Sequence, residues 1–382
     1  MILKHYIYKT SWDVEIDTSL DSKETLVIVF GASDIDLVNQ PLKDLREKFK
    51  NSVIIGASSS GEIFMDELQE DTVVVSVLKF STSKIKLFTK EIGSPKNSFS
   101  IGQDISSTLY AEDLKGIFIL SDGLGINGSQ LTNGINSKIE SGVIVTGGLA
   151  GDGARFKSTW IIVDGEAKSG YISAVGMYGE NIMLSHGFNG GWDKFGIKRT
   201  VTRAKDNILY EVDHHPVLDI YKDYLGEKAK ELPASALLFP LELQEDTASE
   251  EKTVRTVLAV DEDEKSITFA GDIPEGSTVS LMKSNYNRLI EGAYKAAESI
   301  KLYDYNDEDV LSIAISCIGR KLVLKQRTED ELEATLEILP KKTLQVGFYS
   351  YGEISPLNNG QCDLHNQTMT LTTIWEKDAP TA

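Results

Sequence analysis

The chain has 382 residues, 41% apolar and 25% charged, with a formal net charge of −19. One hydrophobic core rarely serves more than roughly 250–300 residues, so two domains are expected, each able to bury a core. The acidity excludes a nucleic-acid backbone as partner and disfavours an anionic membrane surface, because both are held by lysine and arginine.

Residues 25–30 form an apolar run closed by Gly31, Ala32 and Ser33, which reads as a buried strand. Over 34–51, Ile35, Leu37, Val38, Leu42, Leu45 and Phe49 fall near one face of a helix with basic residues in its last turns. A strand follows at 52–57. Residues 72–80 and 84–91 alternate apolar and polar about Ser81, Thr82 and Ser83, which predicts an antiparallel hairpin. A helix at 99–110, a strand at 116–122, a helix at 129–139 and a strand at 142–146 come next. The glycine run 147–153 encloses Asp152 and precedes a strand, so it reads as a tight turn or as backbone that approaches a neutral or cationic ligand. A phosphate loop would need Gly-Lys-Ser/Thr or a helix starting on the glycines. Residues 159–163 and 170–175 form a second hairpin around Asp164-Gly165, and strand 181–186 pairs with its neighbours.

A boundary is expected near 200–213, dividing the chain into domains 1–205 and 206–382. Helix 217–225 is preceded by His214, His215 and Pro216. A strand at 233–240, an acidic loop at 242–252 and a hairpin of 254–260 with 266–270 follow. Helix 284–299, strand 309–316, helix 329–339 capped by Thr328, and strands 343–351 and 364–375 complete the pattern. Helical units mixed with hairpins exclude a pure Rossmann sheet. The expected class is α+β (mixed α/β), each domain a mostly antiparallel or mixed sheet covered by helices. No internal repeat is legible beyond Gly61-Glu62-Ile63 and Gly352-Glu353-Ile354.

Those two phrases each follow a strand-like run. Glu62 and Glu353 would form an acid–base pair in one cavity, or grip a cationic amine. Ser58, Ser59 and Ser60 offer hydroxyls and backbone N–H groups, although a strand-ending turn accounts for them too. Tyr349, Tyr351 and Glu353 alternate along one strand, which places them in line on one sheet face. Such a strip suits amino acids or small amines, and equally a half-exposed sheet surface.

Five histidines lack metal-ligand spacing, so no metal site is expected. His186 reads as a core histidine or an axial ligand. Cys317 is followed by Arg320 and Lys321, the surroundings a reactive thiolate needs, but a half-buried cysteine fits as well. No Gly-x-Ser-x-Gly elbow and no complete catalytic motif is present, so a non-enzyme is expected. The rival is a hydrolase or transferase using Cys317 with His365 and Glu353. Two cysteines fit a reducing cytosol. Without a signal peptide or a run of about 18 apolar residues, a cytoplasmic protein with no membrane insertion is expected.

The phrase 56–63, the run 147–153, Ser185-His186-Gly187-Phe188, and the segments 347–353 and 365–368 together resemble the FIST family, over roughly 25–375. The resemblance implies an N-terminal and a C-terminal FIST domain. It also implies an intracellular sensor of signal transduction that binds a small molecule, with amino acids or related metabolites as ligands. Ser316-Cys317-x-x-Arg320 is similar to the family's C-terminal pattern. The candidate ligand-binding residues are Ser59, Gly61, Glu62, Gly148, Cys317, Arg320, Tyr349, Tyr351, Glu353, His365, Asn366 and Thr368. With both domains counted, no effector segment is expected, so the output falls to a separate protein such as a histidine kinase or a cyclic-dinucleotide enzyme. Some relatives resemble haem-binding gas sensors. Here Cys-x-x-Cys-His is missing, so no cofactor is expected, and any haem would be non-covalent with His186 or His365 as axial ligand.

Overall fold

The computed structural model describes residues 1–232, 234–244 and 252–377. The fold is α+β, with mixed sheets covered by helices. Its plan is a threefold repeat, of which the sequence displays only the two Gly-Glu-Ile phrases. Each of three six-stranded sheets has the same order: an edge strand, an antiparallel strand, a parallel pair, and a hairpin borrowed from another repeat.

In the first sheet the parallel pair is Thr25–Gly31 with Val53–Ser58, flanked by Val73–Lys79 and Ile2–Tyr8. In the second it is Leu114–Ser121 with Ile144–Leu149, flanked by Tyr171–Tyr178 and Lys84–Glu91. In the third it is Val310–Cys317 with Thr343–Ser350, flanked by Met369–Glu376 and Ile182–Asn189. Runs of valine, isoleucine and leucine suit such central strands, which are buried on both faces.

The borrowed hairpins close a ring. Glu62–Phe64 and Glu67–Gln69, from the first repeat, join the third sheet. Gly352–Pro356 and Cys362–His365, from the third, join the second. Ile161–Val163 and Glu166–Lys168, from the second, join the first. At the centre three equivalent backbone bonds run cyclically. Ser60 N–H donates to Tyr349 O (2.8 Å), Tyr351 N–H to Leu149 O (3.1 Å), and Gly151 N–H to Ser58 O (3.1 Å).

Three glycines permit this convergence. Gly56, Gly147 and Gly347 face Val29, Ile119 and Ala314 in their parallel pairs. A Cβ there would come within 2.5, 1.9 and 1.8 Å of those residues' carbonyl oxygens. The inner faces of all three sheets share one core, in which Phe30 stacks on Phe348 at 4.6 Å. Outer faces are covered by Ile35–Lys48 on the first sheet and by Ser98–Leu109 and Gly128–Asn136 on the second. Tyr286–Glu298 and Thr328–Ile338 cover the third. Side-chain caps from Asp34, Asn127 and Asn285 satisfy the free N–H groups of three of these helices.

A further sheet, with its own core and the helix Val217–Leu225, is inserted into the third repeat between Ile182–Asn189 and Tyr286–Glu298. The second and third sheets of the ring therefore draw strands from both halves of the chain, whereas the first is built from residues 2–168. Matching Thr343–Ser350 with Glu62–Phe64 spans nearly the whole sequence, a contact that local periodicity does not reveal.

Several local expectations change. Val73–Lys79 and Lys84–Glu91 are strands but not a hairpin, because the chain passes from the first sheet to the second between them. The Glu376 carboxylate holds that crossing by accepting the N–H groups of Ser81 (2.7 Å), Thr82 (2.9 Å) and Ser83 (2.8 Å). Burial pushes its pKa up, but these bonds outweigh burial and bring it down to about 2. The glycine run is not a turn throughout, since strand Ile144–Leu149 continues through Gly147 and Gly148. Ile161–Val163 pairs with Glu166–Lys168, whereas Tyr171–Tyr178 belongs to another sheet. Ile182–Asn189 pairs with the distant Met369–Glu376. The strand expected at 233–240 is a 3-10 turn at Ala234–Leu238, with Pro233 outside the described residues. Residues 245–251 of the expected acidic loop also lie outside them.

Candidate functional site

The two Gly-Glu-Ile phrases occupy equivalent places in the repeat and do the same job. Glu62 accepts hydrogen bonds from the Ser59 hydroxyl and from the Thr72 N–H (3.1 Å) and hydroxyl (2.8 Å). Glu353 accepts from the Ser350 hydroxyl (2.5 Å) and from the Thr368 N–H (3.2 Å) and hydroxyl (2.9 Å). Each carboxyl clamps the start of a borrowed hairpin to the strand that follows it. In the second repeat Asp122 takes this part, accepting from Thr159 Oγ1 (2.9 Å) and Gly170 N–H (3.0 Å). A left-handed residue lies just ahead of each clamped strand: Asp71 (φ 55°) and Gln367 (φ 63°) two residues before Val73 and Met369, and Gly170 (φ 76°) directly before Tyr171. Burial pushes the Glu62 pKa up to about 7 and that of Glu353 up to about 8.

The strip expected on one sheet face is not formed. The chain leaves the third sheet at Ser350 and enters the second at Gly352, so Tyr349 stands on a strand of the third sheet and Tyr351 in the crossing between the two sheets. Tyr349 donates to Glu331 (2.7 Å), and Tyr351 is bonded to Asp152 and stacks on Phe156 at 4.5 Å. Glu331 also pairs with Arg320 (2.7 Å) and accepts from Ser316 (3.0 Å), and all of these groups are buried. Arg320 spends its other N–H groups on the carbonyls of Gly190 and Leu289. The Cys317 thiol is fully buried, and burial with the neighbouring Glu353 pushes its pKa up, the opposite of what a nucleophilic thiolate needs. Asn366 binds the inserted sheet through Thr256 N–H (3.2 Å), and Gly148 lies opposite Glu353 in the second sheet. His365 Nε2 is turned to Ser355 O (3.0 Å), and its ring packs on Phe188. A haem ligand needs a nitrogen turned to open space, and His365 Nε2 is already engaged, while His186 turns Nδ1 to the Ser355 hydroxyl (3.5 Å).

One part of the candidate set does face an opening. Ser59, Gly61 and Glu62 line a cleft of about 210 Å³ with residues of all three repeats. Gly153, Ala154 and Arg155 come from the second repeat, and Ile318, Lys321 and Leu322 from the third. Glu70 and Asp71 complete its rim. Lys321 Nζ donates to Ser60 O (2.6 Å), pairs with Glu70, and lies 5.8 Å from the Tyr349 ring centre. Ser60 Oγ accepts from Gly153 N–H (2.9 Å), and Arg155 reaches Ser33. Sequence reading missed Arg155, Glu70 and Asp71, and took Lys321 only as a neighbour of Cys317. Only the Gly61-Glu62-Ile63 phrase lies in their neighbourhood. A larger trough of about 650 Å³ lies beside helix Ile35–Lys48, but its walls are exposed ion pairs such as Arg46–Glu166 and carry no motif.

Residues of all three repeats, of both charges, thus line one cleft of small-molecule size. The FIST N domain matches residues 25–215 and the FIST C domain residues 218–356, so the chain belongs to the FIST family. FIST domains are associated with small-ligand sensing in signal transduction. No curated protein matches the chain. Among the described residues, no helix is long and apolar enough to cross a membrane.

Proposed function

We propose that this chain is a signal-transduction sensor whose ligand is an amino acid or a related metabolite, bound in the cleft between Ser59, Lys321 and Arg155. One observation carries the reading: opposite charges ring a single small opening. Arg155 and Lys321 suit a carboxylate, Glu70 and Asp71 suit an amine, and Ile318 and Leu322 supply apolar contact. A zwitterion of amino-acid size answers all three features. The original Tyr349/Glu353 strip is a poorer host, because its polar groups are already bonded.

Calorimetry against a panel of amino acids tests this. At 100 times its dissociation constant, the ligand adds about 2.7 kcal/mol of stability, visible as a raised melting temperature. Arg155→Ala removes an exposed side chain, so folding persists while affinity falls about tenfold or more through loss of a charge-assisted bond. A panel that leaves the melting temperature unmoved, or an Arg155→Ala variant that binds like the parent, would remove the cleft from consideration.

A further inference from the structure

The open cleft has a twin. Residues 366–367 are the repeat equivalents of 70–71, since Thr368 and Thr72 are clamped alike by Glu353 and Glu62. The twin lies between the third and second repeats, and the chain's own inserted sheet fills it. Thr256 N–H donates to Asn366 Oδ1 (3.2 Å), and Gln367 Nε2 donates to Leu237 O (2.9 Å). Arg255, 2% exposed, is sealed in beside them with its guanidinium on Leu364 O (3.0 Å). Asp272 anchors the same contact by accepting from Asn127 (2.8 Å) and Gln130 (2.5 Å).

The occupant of the twin thus presents two donors, the Thr256 N–H and the Arg255 guanidinium, and one acceptor, the Leu237 carbonyl, to the corner made by positions 364–367. In the open cleft that corner carries carboxylates, Glu70 and Asp71, in place of the amides Asn366 and Gln367. A carboxylate only accepts, so it replaces a corner that both accepts and donates by one that demands donors. Asp71 makes no hydrogen bond or ion pair among the described residues, and Glu70 is paired only with Lys321. The net charge of −19 further raises the local concentration of cations.

We propose that the ligand of the open cleft is a basic amino acid, its side-chain guanidinium or ammonium held at Glu70 and Asp71 and its carboxylate at Arg155. This rests on the reading of the cleft as an amino-acid site. The test compares L-arginine with L-citrulline, which keeps the shape but carries a neutral urea, by calorimetry on the full chain. Arginine binds about tenfold or more tightly than citrulline, the step from a neutral to a charge-assisted bond. Asp71→Asn keeps a residue that tolerates left-handed backbone, so the fold is retained and most of the arginine preference is lost. Arg155→Ala weakens both ligands alike. Equal binding of arginine and citrulline, or an unchanged preference in Asp71→Asn, overturns this inference and leaves the amino-acid site standing. Failure of every amino acid to bind overturns both.

Discussion

Glu331→Gln is expected to destabilise the protein by about 3–5 kcal/mol, the usual cost of leaving one charge of a buried pair alone. Arg320 and Glu331 are both fully buried, and their pair is closed by Tyr349 and Ser316 on one carboxylate oxygen and by the guanidinium on the other. An amide in place of the carboxylate keeps the shape, but Arg320 then retains its charge with only the carbonyls of Gly190 and Leu289 as partners. Those carbonyls sit where the chain leaves for the inserted sheet and where it returns, so the loss is felt at that junction. Urea unfolding reads the effect. Adding Arg320→Met to Glu331→Gln removes the stranded charge and recovers part of the loss, because apolar replacement of both partners is often neutral. A single variant within 1 kcal/mol of the parent by the same unfolding measurement would refute this account. The prediction also separates two roles for Arg320, since a residue whose donors are all engaged inside the fold contributes to stability rather than to ligand contact.

The strands and helices of the first half were legible because runs such as Val27–Val29 and the periodic apolar face of helix Ile35–Lys48 are local signals. Their pairing was not. The crossing at Ser81–Ser83 looks like a hairpin turn, and only the carboxylate of Glu376, almost 300 residues further on, shows that the chain is changing sheets. The Tyr349/Tyr351 alternation misled for a related reason: period-two logic holds within one strand, and the strand ends between them. The repeat was half written in the sequence. Ser59-x-x-Glu62 with Thr72 and Ser350-x-x-Glu353 with Thr368 are the same clamp, and the two Gly-Glu-Ile phrases are its trace. The middle copy is hidden because Asp122 supplies the carboxylate from just after strand Leu114–Ser121, not from the borrowed hairpin. The cleft residues Arg155 and Lys321 carry no local signal. They meet only because the borrowed hairpins bring three repeats to one axis.

Glu353→Gln is expected to flatten a fall in stability that the parent shows as pH rises. The folded pKa of Glu353 is pushed by burial from 4.5 to about 8, so the folded state holds the proton more tightly than the unfolded chain does. The stabilisation is therefore fully present below about pH 4.5, declines as pH rises and is lost once pH passes about 8. Over that window it amounts to something on the order of 5 kcal/mol. Glu62 acts in the same direction over a narrower window ending near pH 7. Glutamine cannot titrate, yet its oxygen can accept both Thr368 donors while its amide faces the Ser350 hydroxyl, so the clamp survives. Unfolding measured from pH 5 to pH 9 should show the variant gaining on the parent as pH rises, with the double variant Glu62→Gln/Glu353→Gln gaining more. Because other groups titrate equally in parent and variant, the difference between the two curves isolates the clamps. Parallel curves would mean that both carboxyls are already ionised in the fold, with the serine and threonine donors offsetting burial in full.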